Sequence, residues 1–437
     1  MRVLVAGLAL VALLAGCTQS ATLPPVTEQV VSTPLPFTNV TSLVTKTDGA
    51  GEPSLGVTPT GILFTDISSD VYTSRDNGTT WTNTGDHQNI QGTASVPNDD
   101  PDLAVDADGT VWESRDWIGC IGVAVGRDQG KTWSFDPAVC PGTALDRQYV
   151  IPTKGGTAYL YAHQLGSFQQ IAMKTTDYGT TWLPTTPPEG LMPHFLLANG
   201  GTGWGGGGFW NAKTGSVFLT FTKSDGIAGG GTEAGFSVTR DGGLTWDWQG
   251  AAKLEGSQLG LGLVTGAADD AGNVYLTWGE ASGSNSDIAI YLARSSDDGK
   301  TWTKVRVDDT KDSKVFPILT AGAAGHVAVA YYQGDKASYP DAMNGNWNVT
   351  LAYTDNATAA GNVTWHYGTL ATAVKKGPIC ISGTTCTGNR EFDDYFDLVR
   401  IPTGQVGAIY NVMDGKNVRN GFSLTTENLL GPRPAAT

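Results

Sequence analysis

Residues 74–81 read SRDNGTTW, and four further octets of the same form follow: GRDQGKTW at 126–133, TTDYGTTW at 175–182, TRDGGLTW at 239–246 and SSDDGKTW at 295–302. Their tryptophans, Trp81, Trp133, Trp182, Trp246 and Trp302, recur every 49 to 64 residues, and a degenerate sixth copy ends in VTW at Trp365. Self-similarity at such a period marks a repeat architecture. In each octet the Asp carboxylate can accept hydrogen bonds from amides of its own turn, and the Gly permits positive φ. The Thr and Trp then open a strand, so each octet reads as a self-satisfied hairpin.

A second repeat runs out of phase with the first: a β-like run, a Gly turn and another strand. It appears as LGVTPTGILF (55–64), LAVDADGTVW (103–112), YVIPTKGGTAYLY (149–161), FWNAKTGSVFLTF (209–221), LVTGAADDAGNVYLTW (263–278), ILTAGAAGHVAVAYY (318–332) and LVRIPTGQVGAIY (398–410). Four antiparallel strands in each of seven units predict an all-β fold, a seven-bladed β-propeller of four-stranded blades. The seventh unit lacks a fourth strand after GFSLTTEN (421–428), while FTNVTSLV (37–44) stands unassigned before the first. The N-terminal strand is therefore expected to close the ring and remove an open edge. One propeller domain over 37–430 and a tail over 431–437 follow.

Arg2 is followed by an apolar run from Val3 to Leu14 and then Ala15-Gly16-Cys17. The run is too short for a membrane span and reads as a signal segment over 1–16; LAGC resembles the bacterial lipobox. Cys17 is then the lipidated first residue of the mature chain, and the Thr-, Ser- and Pro-rich stretch 17–36 a tether. The expected location is the outer face of the cell envelope, with the lipid as the only membrane contact. The four remaining cysteines are an even number in an exported chain, which favours disulfides over metal ligation. The expected pairs are Cys120 with Cys140 and Cys380 with Cys386. A net charge of −15 excludes nucleic acid as a partner.

The five octets resemble the Asp-box of the sialidase-like propeller superfamily. The resemblance covers nearly all of residues 50–430 and implies that the octets lie on the face opposite the ligand site. Sialidases open their first blade with Arg-Ile-Pro, whose Arg binds the substrate carboxylate. Here Pro53 holds the Pro place and Gly51 stands where the Arg belongs. In the last blade, DYFDLVRIPTGQVGAIYN resembles the stretch that carries the nucleophilic Tyr and a later Tyr-Glu. Tyr395 falls on the nucleophile and Tyr410 on the second Tyr, but Asn411 replaces the Glu. The loss of both charges argues against carboxylate recognition in the sialidase manner, unless Arg147 or Arg390 takes it over.

The functional face of a propeller is built from the starts of the inner strands and the loops between second and third strands. These offer Tyr395, Asp100 and Asp394 as catalytic candidates, and Arg147, Arg115, Arg390, Glu391, Asp393 and Asp102 as ligand-binding ones. Convergent carboxylates with a few Arg and aromatic groups suit a polyol or sugar. The expected ligand is a carbohydrate or another envelope or host surface group, bound by a monomer; the alternative is an exo-glycosidase using two acidic groups or Tyr395. GGTGWGGGGFW (200–210) opens no helix and reads as a face loop presenting Trp204 and Trp210. DADG (106–109) imitates a calcium loop without its downstream Glu, so a hairpin turn is expected. No cofactor or metal site is expected, a structural calcium ion being the one inorganic group left open.

Overall fold

The structure, a computed structural model, describes residues 31–434 apart from 36–38, 46–50, 69, 89–100, 118, 141–144, 165–169, 186–200, 225–230, 255–263, 283–286 and 382–385. Seven blades of four antiparallel strands each form a β-propeller, and the sheet of blade six carries a fifth strand. Their innermost strands are Ser54–Val57, Asp102–Val105, Leu145–Pro152, Gly201–Trp210, Thr265–Ala268, Lys314–Ala321 and Asp397–Arg400. Each lies against the next, and the seventh against the first, so the ring is closed. Asn39–Leu43 pairs antiparallel with Asn417–Thr425 and supplies the outer strand of blade seven, as the sequence leads one to expect.

The segment expected as a tether departs from that reading at its end. Val31–Pro34 runs parallel to the outer strand of blade six, in register with Thr364–Tyr367, and Leu35 is buried in the core between blades six and seven. The glycine-rich run is also not a loop. Gly201–Trp210 is the inner strand of blade four, with register shifts at Thr202/Gly205 and Gly205/Gly207. A Cβ on Gly208 would stand 2.6 Å from both Ile151 Cδ1 and the Phe218 carbonyl, so the absence of side chains is what lets this strand approach its neighbours.

The octets join third to fourth strands. In the first, the Thr80 amide and hydroxyl donate to Asp76 at 2.9 and 2.6 Å. Ser74 Oγ donates to the same carboxylate at 2.8 Å and accepts the Gly78 amide at 2.9 Å. The same set recurs on Asp177, Asp241 and Asp297. The second octet has Gly126 where the others have Ser or Thr, and closes instead through the Lys131 amide on the Arg127 carbonyl at 3.0 Å. In the degenerate sixth copy Asn356 replaces the Asp, and its Oδ1 accepts the amide of Thr364 at 3.0 Å across a longer loop. Cys120 pairs with Cys140 and Cys380 with Cys386, as expected.

The octets also bind blade to blade. Trp81 packs edge-on to Phe422 of blade seven at 5.3 Å, Trp182 on Trp112 of blade two, Trp246 on Tyr159 of blade three and Trp302 on Phe236 of blade four at 5.2 Å. In every case the partner belongs to the preceding blade, and the octet glycine abuts the same ring. A Cβ on Gly78 (φ +79°) would lie 2.1 Å from Phe422, and one on Gly130 2.6 Å from Phe64 of blade one. Hydrophobic clusters fill the gap between each pair of successive blades. Gly61 shares the positive φ, at +91°, but has nothing within 4 Å of a Cβ. Gly61→Ala should thus cost only the backbone strain, about 1 kcal/mol. Gly78→Ala should add a clash with a buried ring and cost about 2–4 kcal/mol in chemical denaturation. Equal losses would show that the contact with Phe422 carries no weight.

Candidate functional site

The inner strands surround a channel of about 290 Å³, lined among others by Tyr149, Tyr395, Asp102 and Asp397. At the end where these strands begin, the segment Asp393–Tyr395 reaches across the mouth. Its backbone is fixed from blade one: the buried carboxylate of Glu52 accepts the Asp394 amide at 2.9 Å. Tyr395 Oη donates to the Pro101 carbonyl before blade two at 3.5 Å, and its ring tilts against Tyr149 of blade three at 6.2 Å.

Two guanidiniums converge here, and both close on Asp394. Arg390 binds it in a fork, Nη1 to Oδ1 at 2.8 Å and Nη2 to Oδ2 at 3.0 Å. Arg147 donates through Nη2 to Oδ2. Arg147 stands at φ +51° beside a register shift between Asp146 and Tyr149, the irregularity that brings its side chain to the mouth. Burial opposes ionisation of Asp394, but the Arg147 and Arg390 charges outweigh it and hold its carboxyl below the usual range. Asp393 adds a looser contact to Arg390 at 3.5 Å. Two cations thus face three carboxylates, Glu52, Asp393 and Asp394, which leaves no net positive charge. Where the resemblance would put an arginine, the space is occupied: a Cβ on Gly51 would lie 1.8 Å from Asp393 Oδ2. Asn411 is buried beside this region, and its amide nitrogen donates to the Phe392 carbonyl at 3.4 Å.

The other candidates are dispersed. Arg115 is buried between blades one and two with Asp66 at 3.3 Å, Asp86 at 2.9 Å and Glu113, away from Arg147 and Arg390. Burial raises the carboxyls of Asp66 and Glu113, and the charge of Asp66 raises Glu113 further, while the hydrogen bond between the two lowers Asp66. Glu391 pairs with Lys375 at 2.8 Å, outside the Asp394 network. Asp102 begins its inner strand and lines the channel, where its carboxylate accepts the Val150 amide of blade three at 2.7 Å. Cys17 and Asp100 lie outside the described residues, as do the contacts of the Trp204 side chain. Trp210 sits at the opposite end of its strand from the mouth, among the hairpins on the octet side. DADG forms the expected turn, with Asp106 accepting the Asp108 and Thr110 amides at 2.9 and 2.8 Å.

Two groups escaped the sequence reading. Asp397 accepts the Leu55 amide of blade one at 2.8 Å and so does for blades seven and one what Asp102 does for blades two and three. Aligning the inner-strand starts SLGV, DLAV and DLVR would have found it, since Ser54, Asp102 and Asp397 hold one position. Arg433, expected in a tail, lines the far end of the channel and donates to the Arg400 carbonyl at 2.7 Å. Burial, helped by the neighbouring Arg400, brings its pKa down to about 10.

Burial pushes the carboxyl of Asp102 up to about 7 and that of Asp397 to about 8, against the amide bonds that lower them. Both carboxyls therefore hold a proton more tightly folded than unfolded, where the value is 3.8. This contribution to stability is fully present below about pH 4 and is lost as pH rises through 7 to 8. Asn keeps the acceptor oxygen without titrating. Asp102→Asn/Asp397→Asn should gain stability over the native chain progressively from pH 4 to 8. Denaturation curves that stay parallel over that range would refute the buried carboxyls.

No protein-family profile matches the chain, and no curated protein matches it in sequence. Its fold is similar to that of a protein of unknown function from Dyadobacter fermentans, with 14% identity and a TM-score of 0.50 over 89% of this chain and 97% of that one. It is also similar to an α-L-arabinanase from Penicillium chrysogenum, solved with arabinobiose (15%, 0.47, 89% and 98%). A third is the intramolecular trans-sialidase from Ruminococcus gnavus, solved with oseltamivir carboxylate (12%, 0.44, 90% and 97%). The likeness is one of fold.

Proposed function

We propose that this propeller binds a neutral glycan at the channel mouth around Tyr395, at the outer face of the cell envelope and anchored by a lipid on Cys17. The observation that carries the reading is the closure of Arg147 and Arg390 on Asp394. An anionic sugar is bound through guanidiniums whose forks meet the ligand carboxylate. Here both guanidiniums close on a carboxylate of the protein, Arg390 in a fork and Arg147 through one nitrogen, and Asp393 and Glu52 would repel a second anion. The mouth keeps aromatic surface in Tyr395 and Tyr149 beside fixed acceptors, a combination suited to sugar hydroxyls and C–H faces. Val31–Pro34 enters blade six at the octet end, so the tether leaves from the face opposite Tyr395.

The state of Asp394 argues against its serving as a catalytic acid. Glycoside cleavage needs one carboxyl that carries a proton to the leaving group. Asp394 is held ionised with both oxygens engaged, and so cannot donate one. A second reading, an exo-glycosidase, rests on Tyr395 lining the channel mouth in the place the resemblance gives to a nucleophile.

Calorimetric titration with matched neutral and sialylated oligosaccharides separates these readings. The neutral members are expected to bind and the sialylated ones to bind at least tenfold more weakly. Tighter binding of the sialylated members would overturn the proposal, and sugar release abolished by Tyr395→Phe would install the second reading. For the anchor, Cys17→Ser should move the protein from the membrane fraction to the soluble exported fraction; unchanged partition would remove the lipid from the account.

A further inference from the structure

On the octet face, hairpins from three consecutive blades enclose a cleft of about 560 Å³, roughly twice the channel volume. Asp108 comes from blade two, Lys154 and Thr157 from blade three, and Trp210 from blade four; Tyr159 forms the floor. We propose that this cleft is a second carbohydrate site, taking one or two neutral sugar residues against Trp210.

The placement of Trp210 is the first argument. It ends an inner strand, and the residues ending the other inner strands of blades one to six are Val57, Val105, Pro152, Ala268 and Ala321. A large aromatic ring stands at this level only in blade four among these. It is not needed to fill the core between blades three and four, which Tyr149, Ile151, Val217 and Leu219 occupy as buried residues; Trp210 packs at its margin, half-exposed. A partly wetted tryptophan at the wall of a cleft offers a flat apolar platform with a polar edge.

The second argument is the polar lining. The Asp108 carboxylate is exposed and spends Oδ2 on the Gly155 amide at 2.6 Å, which fixes the rim of blade two against that of blade three. Lys154, also exposed, makes no ion pair among the described residues. One anion and one cation at the same rim leave the cleft without net charge. With the Thr157 hydroxyl they give a donor and acceptor ring around an apolar wall, which matches the hydroxyl rim and C–H face of a sugar. A wholly apolar ligand would desolvate the Lys154 ammonium and the remaining oxygen of Asp108 without offering either a partner.

The third argument is rigidity. Tyr159 is backed by Trp246 at 6.2 Å in a perpendicular contact and by the Lys174 ammonium 5.5 Å from its ring centre. Lys174 is itself held by the Gly242 carbonyl at 2.9 Å. The floor is thus fixed before a ligand arrives, and a preorganised cleft of this volume loses little on binding.

The test titrates the full chain with neutral tetrasaccharides of glucose, galactose, mannose, arabinose and N-acetylglucosamine. At least one is expected to bind, with affinity lowered tenfold or more by Trp210→Ala. Lys154→Ala, at an exposed position that the fold does not need, should lower it at least threefold, which covers the case in which Trp210→Ala disturbs folding. Tyr395→Ala, which leaves the pairing of Arg147 and Arg390 with Asp394 in place, should leave this binding unchanged, whatever it does at the opposite face. Retained affinity in both cleft variants, or no binding of any probe to the native chain, overturns the proposal. Loss of binding in Tyr395→Ala alone assigns the sugar to the channel mouth and overturns the cleft, while loss in the cleft variants alone leaves the cleft standing without the mouth.

Discussion

The contact of each octet's glycine and tryptophan with an aromatic ring of the preceding blade is the interaction on which the ring depends. A propeller has no layer beyond its blades, so the interfaces between them are its whole core. An octet supplies both sides of that need: the carboxylate closes the turn, and the turn presents Gly and Trp to the neighbouring ring. Blade six keeps the tryptophan, buried in the cluster shared with blade five, although Asn356 has replaced the acid. Blade seven has no octet, because its outer strand comes from the N-terminus. That interface is filled by the chain ends instead: Leu35, Leu429 and Leu430 are all buried in the cluster between blades six and seven.

The same residue type meets three environments, and each sets a different charge. The octet aspartates Asp76 and Asp241 are exposed and take amide and hydroxyl donors, which lower their carboxyls. Asp102 and Asp397 take amides within the protein-walled channel, and there desolvation prevails. Asp394 is nearly as enclosed, but two guanidiniums reverse the outcome. Removing one partner would leave the remaining charges uncompensated, a situation worth about 3–5 kcal/mol in buried pairs. The mouth is therefore a rigid lattice of ion pairs joining blades one, three and seven, and its rigidity is what makes it a recognition surface.

Much of the fold was legible because repetition is independent of local ambiguity. Five octets and seven hairpin repeats gave the blade count, and the missing last strand pointed to 37–44. The glycine-rich stretch was misread because strand signals rest on β-branched and aromatic residues, whereas here tight packing around the channel selects against side chains. Arg115 was misplaced for another reason. Its strand, Val111–Trp117, alternates faces, and nothing in VWESRDW tells which face meets blade one. The absent sialidase arginine was legible as Gly51, but its cause was not: only the fold brings Asp393 into that space.

The net charge of −15 is not concentrated on the binding face. Much of it instead belongs to turn chemistry. Asp106 accepts two amides and the Trp112 indole; Asp269 accepts the amides of Ala271 and Asn273, the Tyr275 hydroxyl and the amide of Gly325 from the next blade. With the octet acids these are carboxylates a propeller of short hairpins requires, since each supplies several acceptor sites where the backbone has donors to satisfy. An acidic chain of this architecture therefore gives no reason to expect a cationic ligand. What bears on recognition is the local balance at the mouth and in the cleft, and in both places acid is matched by base closely enough to favour a ligand without charge.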